Sequence, residues 1–387
     1  VIFLDPNYIS PMLQEALIRT KIPMYDIVNQ QLINEPQATT LELQENQLII
    51  INSEHAIKLL TDQFAHLNAT KWSNLFKNKV AFRRFLASSF PSFYFKESTL
   101  HELSMMDSTS IPYPIILKPA IGYASVGVQK IKDAQQFTEA VQQLVKNNGF
   151  ATSYAKDILN FQTFILETYI EGQELAVDAY FNEDGKPIIL NLFARMFRDA
   201  EDMSDRIYYT SKQVLAQYLS VVEKYLSELG ASLEMRNYPF HIELRIDAQG
   251  ILIPIEVNPL RFAGIGTTEL GTYAYDINPY EYVFNKWEPD WSQKIAKMDD
   301  RIYSFTCAEF DSHLTFEDID CIHHEKLKQE FDHLLDYRIM PQDSGTTFAV
   351  IFFASDSFSQ NEHILSLDFM SFITTKNEAL ALSSSHN

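Results

Sequence analysis

Two acids and an amide stand where a divalent cation could be held. His241-Ile242-Glu243 and Glu256-Val257-Asn258 lie on the apolar stretches Phe240–Ile246 and Ile251–Val257, joined by Asp247-Ala248-Gln249-Gly250. Two such runs around a glycine-containing turn predict an antiparallel hairpin. A tight hairpin sets Glu243 beside Glu256. Strand residues alternate between faces, so His241 shares a face with Glu243, and Glu256 shares one with Asn258. Carboxylates on adjacent strands repel unless a cation bridges them. The oxygens of Glu243, Glu256 and Asn258 suit Mg²⁺, with Mn²⁺ as a substitute; Mg²⁺ prefers a few protein oxygens alongside phosphates and waters. The alternative is a salt-bridge ladder with Arg245 and Arg261.

Two further clusters precede this one. In Lys118-Pro119-Ala120-Ile121-Gly122-Tyr123-Ala124-Ser125-Val126-Gly127-Val128, a lysine ends the apolar run Ile115-Ile116-Leu117 and leads into a loop with two glycines and a serine. A buried lysine is costly without an anion. Such a loop can turn its N–H groups toward phosphate oxygens. The alternative is a strand–turn–strand with a surface lysine. In Leu166-Glu167-Thr168-Tyr169-Ile170-Glu171-Gly172-Gln173-Glu174, three acids follow a buried strand. Carboxylates accept from amine and ribose hydroxyl donors, although this segment by itself reads as a solvated acidic turn. Arg195 to Arg206 reads as a mobile loop near a substrate, where arginines could hold a carboxylate bidentately, or as a solvated charged loop. Tyr208 and Tyr209 read as packing residues, and His323-His324 as surface or structural.

These groups need a scaffold. Val1–Leu4 and Leu48–Ile51 read as buried strands. Met12, Ala16, Leu17 and Ile18 predict a helix, and Ser53 a helix cap before Leu60. This strand–helix alternation predicts a small parallel sheet. Asn78–Ser88 predicts a helix with Val80, Phe85 and Leu86 on one face, and Phe137, Val141, Leu144 and Val145 share another helical face. Val177–Phe181 and Pro187–Phe193 flank the hairpin signal Asn182-Glu183-Asp184-Gly185. Val214 to Leu229 reads as a long amphipathic helix closed by Gly230. From about Met298 the pattern changes to a separate α+β appendage.

Bulk properties narrow the class. A chain of 387 residues predicts two to four domains. Its formal net charge of -20 argues against nucleic acid or a membrane surface as the main partner. Cys307 and Cys321, the two cysteines, form no CxxC pair, which fits a reducing, cytoplasmic setting. Val1–Leu4 is too short an apolar run for a signal sequence, although the missing initiator Met leaves an earlier segment open. No apolar run of ~18 residues predicts a transmembrane helix.

The order of the clusters resembles the ATP-grasp superfamily, which includes D-alanine–D-alanine ligase, biotin carboxylase and glutathione synthetase, over roughly residues 75 to 285. The resemblance implies an α/β and α+β chain. Residues 1–75 would form a Rossmann-like domain preceding the ATP-grasp domain of 76–297, with a lid at about 112–166 and the appendage at 298–387. It implies ATP and Mg²⁺ as cofactors. By resemblance, Lys79 meets the α-phosphate and Lys118 the α- and β-phosphates, while Ser125 and Gly127 belong to the lid over the triphosphate. Glu167 meets the adenine amino group, the backbone of Thr168, Tyr169 and Ile170 forms the adenine edge, and Glu174 holds the ribose. Glu243, Glu256 and Asn258 match the metal ligands, including the thirteen-residue interval between the acids.

Arg261 resembles the arginine that steadies phosphoryl transfer, but it stands three residues after Asn258 where many members have two. The turn Gly264-Ile265-Gly266-Thr267-Thr268 is a candidate anion seat. The activity implied is activation of a carboxylate as an acyl phosphate and its joining to an amine, with small-molecule acid and amine as partners and a homodimer left open. A phosphotransferase and a non-catalytic ATP-binding module are the alternatives.

Overall fold

A computed structural model describes residues 1–7, 9–33, 41–121, 127–146, 160–199, 202, 206–342 and 344–378. The N-terminal part runs β1 (Ile2–Leu4), α1 (Pro11–Arg19), β2 (Met24–Asp26), β3 (Gln31–Leu32), β4 (Ile50–Ile51) and α2 (His55–Gln63). Strand β1 lies between β2 and β4, parallel to both, as strand–helix alternation requires, and β3 adds antiparallel to β2. The cap of α2 differs from expectation: it falls at Glu54, with no side-chain cap bond. Helices α3 (Asn68–Lys77) and α4 (Lys79–Leu86) meet at Asn78, which ends the first and caps the second by accepting from the Ala81 N–H. That shared cap sets Lys77 and Lys79 on either side of one bend.

A four-stranded antiparallel sheet follows: β5 (Phe95–Thr99), α5 (Leu100–Ser104), β6 (Ile115–Ile121), β7 (Gln129–Ile131), α6 (Ala134–Lys146) and β8 (Asn160–Thr168), with strand order β5-β8-β6-β7. The sheet takes in Phe95–Thr99, ahead of residue 112. Phe137, Val141 and Leu144 of α6 join its core, whereas Val145 is exposed.

The main sheet has eight strands. It is built from β9 (Gln173–Phe181), β10 (Pro187–Met196), β11 (Ile207–Thr210), α7 (Lys212–Leu233), β12 (Tyr238–Ile246) and β13 (Leu252–Pro259), then α8 (Leu270–Tyr275), α9 (Pro279–Asn285), α10 (Trp291–Lys297) and β14 (Ile302–Glu309). It is completed within β15 (Ile319–Ile322), α11 (His324–Lys328), β16 (His333–Ile339), β17 (Thr347–Ser355), α12 (Phe358–Ser366) and β18 (Ile373–Thr375). The strand order is β13-β12-β9-β10-β11-β14-β17-β16, so strands from beyond residue 298 extend this sheet, while β15 and β18 pair apart. Antiparallel register separates its central strands into two faces. Leu175, Val177, Ala179 and Phe181 align with Leu244, Ile242, Phe240 and Tyr238 on the apolar face. Helices cover this face: Tyr238 packs edge-on to Trp72 of α3, and Phe181 lies under Gly230 of α7. Gly230 is therefore not the terminator expected from sequence. It lies inside α7, which ends at left-handed Glu234, and a Cβ there would stand 2.3 Å from Phe181. The opposite face carries Asp178, His241, Glu243, Glu256 and Asn258.

Candidate active site

The β12–β13 hairpin forms in the expected register. Glu243 pairs with Glu256 and His241 with Asn258, so all four side chains share one face. A bulge follows directly, where Leu244 pairs with Pro254 and Ile255 is the additional residue. Proline has no N–H to give a ladder, and a bulge is where a strand accommodates one. The salt-bridge ladder does not form, because Arg245 pairs with Glu174 and Arg261 with Glu54. Asn258 is 7% exposed, and its Oδ1 has no hydrogen-bond partner. A buried acceptor left unsatisfied costs about 1–3 kcal/mol. That orphan oxygen beside two carboxylates fits a divalent cation held by Glu243, Glu256 and Asn258. Among the described residues no group of three or more His, Cys, Asp or Glu forms another metal cluster.

Cations gather next to these acids. Lys79, in the first turn of α4, places Nζ 3.2 Å from Glu256 Oε2. Lys118 is interior to β6, not at its end, and Nζ donates to Glu167 Oε1 at 2.6 Å. Arg83, one turn after Lys79, donates from Nε to Glu167 Oε2 at 2.6 Å and from Nη1 to the Pro254 carbonyl at 2.6 Å. Burial raises the Glu167 carboxyl, but Arg83 and Lys118 outweigh it and hold the group at about 2. Burial lowers the Lys118 ammonium; Glu167 opposes this, while Arg83 and Lys79 reinforce it. Burial likewise disfavours charged Glu256, but Lys79, Lys77 and Lys118 bring its carboxyl below the usual range. Lys79, Arg83 and Lys118 thus gather around the buried carboxylates Glu167 and Glu256.

The remaining expected residues divide. Glu174 is 2% exposed; its Oε1 accepts from Arg195 Nη1 at 2.6 Å and its Oε2 from Arg245 Nε at 2.9 Å. Both oxygens of the expected ribose acid are therefore already engaged by guanidinium groups. The Thr168 and Tyr169 N–H groups donate to the Tyr94 and Pro114 carbonyls, and the Ile170 carbonyl accepts from Arg245. Gly127 is left-handed, with φ +76°. Ser125 lies outside the described residues. Arg195 belongs to β10, not to a loop, while parts of the segment to Arg206 lie outside the described residues. Tyr208 is buried, Tyr209 meets Phe358 edge-on, and His323 and His324 bond Thr374 and Tyr337.

Sequence reasoning missed Asp178, the polar residue within the otherwise apolar Leu175–Phe181. It is fully buried and surrounded by donors: His241 Nδ1 at 2.8 Å, Asn191 Nδ2 at 2.8 Å, Thr268 Oγ1 at 2.7 Å and the Ala263 N–H at 2.9 Å. Burial disfavours the His241 imidazolium, but Asp178 and Glu243 push it up to about 9. Asp178 thus ties β12 to the turn at 264–268. Thr268 is committed to this bond, and Gly266, at φ +91°, packs against Val350, Phe305 and Phe352. Arg83 was also missed, although its spacing from Lys79 puts both on one helical face.

Residues 111–269 match the sequence profile of the ATP-grasp domain. The chain contains an ATP-grasp domain. Its fold is similar to that of an L-amino acid ligase from Bacillus licheniformis, with 18% identity, TM-score 0.57, and 84% of this chain and 79% of that one covered. It is also similar to a carboxyaminoimidazole ribonucleotide synthase from Aspergillus clavatus complexed with ATP, with 12% identity, TM-score 0.58, and 92% and 93% covered. A biotin carboxylase from Campylobacter jejuni aligns at 12% identity and TM-score 0.53, with 88% and 78% covered. No curated protein matches the sequence. In the ATP-grasp domain, β6 and β8 supply Lys118 and Glu167, and β12 and β13 supply the acids facing them. No helix among the described residues is long and apolar enough to cross a membrane.

Proposed function

We propose that this protein is an ATP- and Mg²⁺-dependent carboxylate–amine ligase acting on small molecules. The observation that carries the reading is the single sheet face on which Glu243, Glu256 and the orphan Asn258 oxygen lie beside Lys79, with Lys118 and Arg83 close behind. Triphosphate would bring oxygens to Lys79 and Lys118, and a cation would satisfy the orphan acceptor and the two facing carboxylates. The similarity to ATP-grasp ligases supports the same reading.

A carboxylate resists nucleophiles because of its charge, and phosphorylation converts one oxygen into a leaving group. Catalysis of that transfer is mostly positioning and charge stabilisation. Lys79 and Lys118 would hold phosphate oxygens, Arg83 would keep Glu167 in place, and Arg261 would offset charge on the transferred group. Magnesium, when bound by Glu243, Glu256 and Asn258, supplies charge compensation on the phosphates. Exclusion of water from the site would limit hydrolysis of the acyl phosphate. An amine would then attack the acyl carbon, expelling phosphate and giving an amide.

The deciding experiment follows ADP and phosphate release from ATP–Mg²⁺ over pooled amino acids, dipeptides and small carboxylic acids, with product masses. A ligase requires acid and amine together and yields a product lighter by one water than their sum. Release with a single acceptor and a stable phosphorylated product would show a phosphotransferase instead.

A further inference from the structure

Arg261 lies just past the end of β13. Leu260, fully buried, adopts φ +59°, a left-handed conformation that costs a non-glycine residue about 1–2 kcal/mol. The bend is held from the N-terminal sheet, where the Ile51 N–H of β4 donates to the Leu260 carbonyl at 2.8 Å. Past this bend Arg261 turns to Glu54: Nε donates to Oε1 at 2.9 Å, and Nη1 donates to the Phe262 carbonyl at 3.1 Å. The other oxygen of Glu54 lies 2.9 Å from Lys77 Nζ. The three side chains are only 17%, 13% and 12% exposed for Arg261, Glu54 and Lys77.

Glu54 occupies the N-cap of α2, where a short polar side chain would normally satisfy the helix N–H groups. Its carboxylate makes no cap bond. It serves the two cations instead, and their charge, working against burial, holds it at about 2. Asn78 separates Lys77 from Lys79, whose Nζ lies 3.2 Å from Glu256, so the pair borders the metal-side acids.

We infer that Glu54 is a positioning residue by which the N-terminal sheet fixes Arg261 and Lys77 as a paired seat for an anionic group of the acid substrate or its acyl phosphate. The assignment of that anionic group rests on the ligase reading; the positioning of Arg261 does not. Glu54 touches no reacting atom itself. Its removal frees the guanidinium to swing and leaves Lys77 without its carboxylate, which weakens capture of the acid more than capture of ATP.

The test uses the full chain with ¹⁵N-labelled arginine. The Arg261 Nε–H resonance is identified by its loss in Arg261→Lys. Its solvent exchange is slow in the wild type and becomes faster by roughly tenfold or more in Glu54→Gln if a bond to Glu54 protects it. Kinetics with the acid and amine that support ADP release should show KM for the acid raised ~10-fold in Glu54→Gln while KM for ATP stays within ~2-fold, and Glu54→Asp should be intermediate. Unchanged Nε–H exchange in a folded Glu54→Gln overturns the inference, as does a parallel rise of both KM values. If no pool supports ADP release in the wild type, the ligase reading fails, and the exchange measurement alone decides the positioning. Should Glu54→Gln not fold, Glu54→Asp carries the same comparison.

Discussion

Glu256 and Glu167 are both carboxylates among cations, but they do different work. Glu256 remains partly accessible and faces Glu243 across the ladder. Glu256→Gln keeps the shape and removes the charge a divalent cation needs. We expect Mg²⁺-dependent ADP formation to fall by more than ~10-fold, over ~1.4 kcal/mol in barrier terms, with the far-UV dichroism unchanged. Turnover that survives within that factor would remove Glu256 from the metal set. Glu167 instead anchors Arg83 and Lys118. Its carboxyl moves from 4.5 to about 2 on folding, so its contribution is present above the unfolded pKa and is lost as pH falls through the folded one. Wild-type stability should therefore drop across that window, by about 3 kcal/mol from this group. Glu167→Gln should be less stable at neutral pH, by about 3–5 kcal/mol, because two buried cations lose their partner. Its acid limb should also be shallower. Glu54 titrates in the same window, so the limb shrinks without vanishing. Thermal midpoints measured from neutral to acid pH decide this.

At the scale of elements, the sheet faces explain what could be read in advance. Alternation along Phe240–Ile246 and the turn at Asp247–Gly250 were sufficient to pair Glu243 with Glu256, because antiparallel register follows from local pattern and loop length. Lys118 and Glu167 could be picked out, but not their mutual bond, which depends on β6 lying beside β8. Asp178, Arg83 and Glu54 were illegible for a related reason: each has a partner more than sixty residues away. Gly230 shows the opposite error. Local pattern makes a glycine near a helix end a terminator, while packing on Phe181 makes it an interior contact. Gly230→Ala tests this. A true terminator would tolerate alanine at modest cost, whereas a Cβ inside the Phe181 ring contact should destabilise by about 1–3 kcal/mol. Equilibrium denaturation measures it, and KM for ATP should not move.

Across the whole molecule, the strands beyond residue 298 make polar contact next to the turn at 264–268 through Arg338. Arg338 of β16 donates from Nε to Asp336 at 2.6 Å, lies 2.5 Å from Glu269, and donates to the Tyr273 hydroxyl at 3.1 Å. Glu269 is 3% exposed, and burial raises its carboxyl even with Arg338 beside it. Its neighbour Thr268 bonds Asp178, which bonds His241. The edge of the sheet is thus connected by polar contacts to the strand bearing Glu243. Arg338→Met leaves Glu269 buried without its cation, a loss of about 3–5 kcal/mol. The expected result is a lower thermal midpoint together with a raised KM for the acid, because the turn at 264–268 loses its fastening, and little change in KM for ATP. Adding Glu269→Gln removes the stranded charge and should restore most of the stability. It should not restore KM, since the Arg338 bond to the turn remains absent. Recovery of both together would mean that Arg338 only neutralises Glu269, and that the C-terminal strands support the sheet without shaping the site.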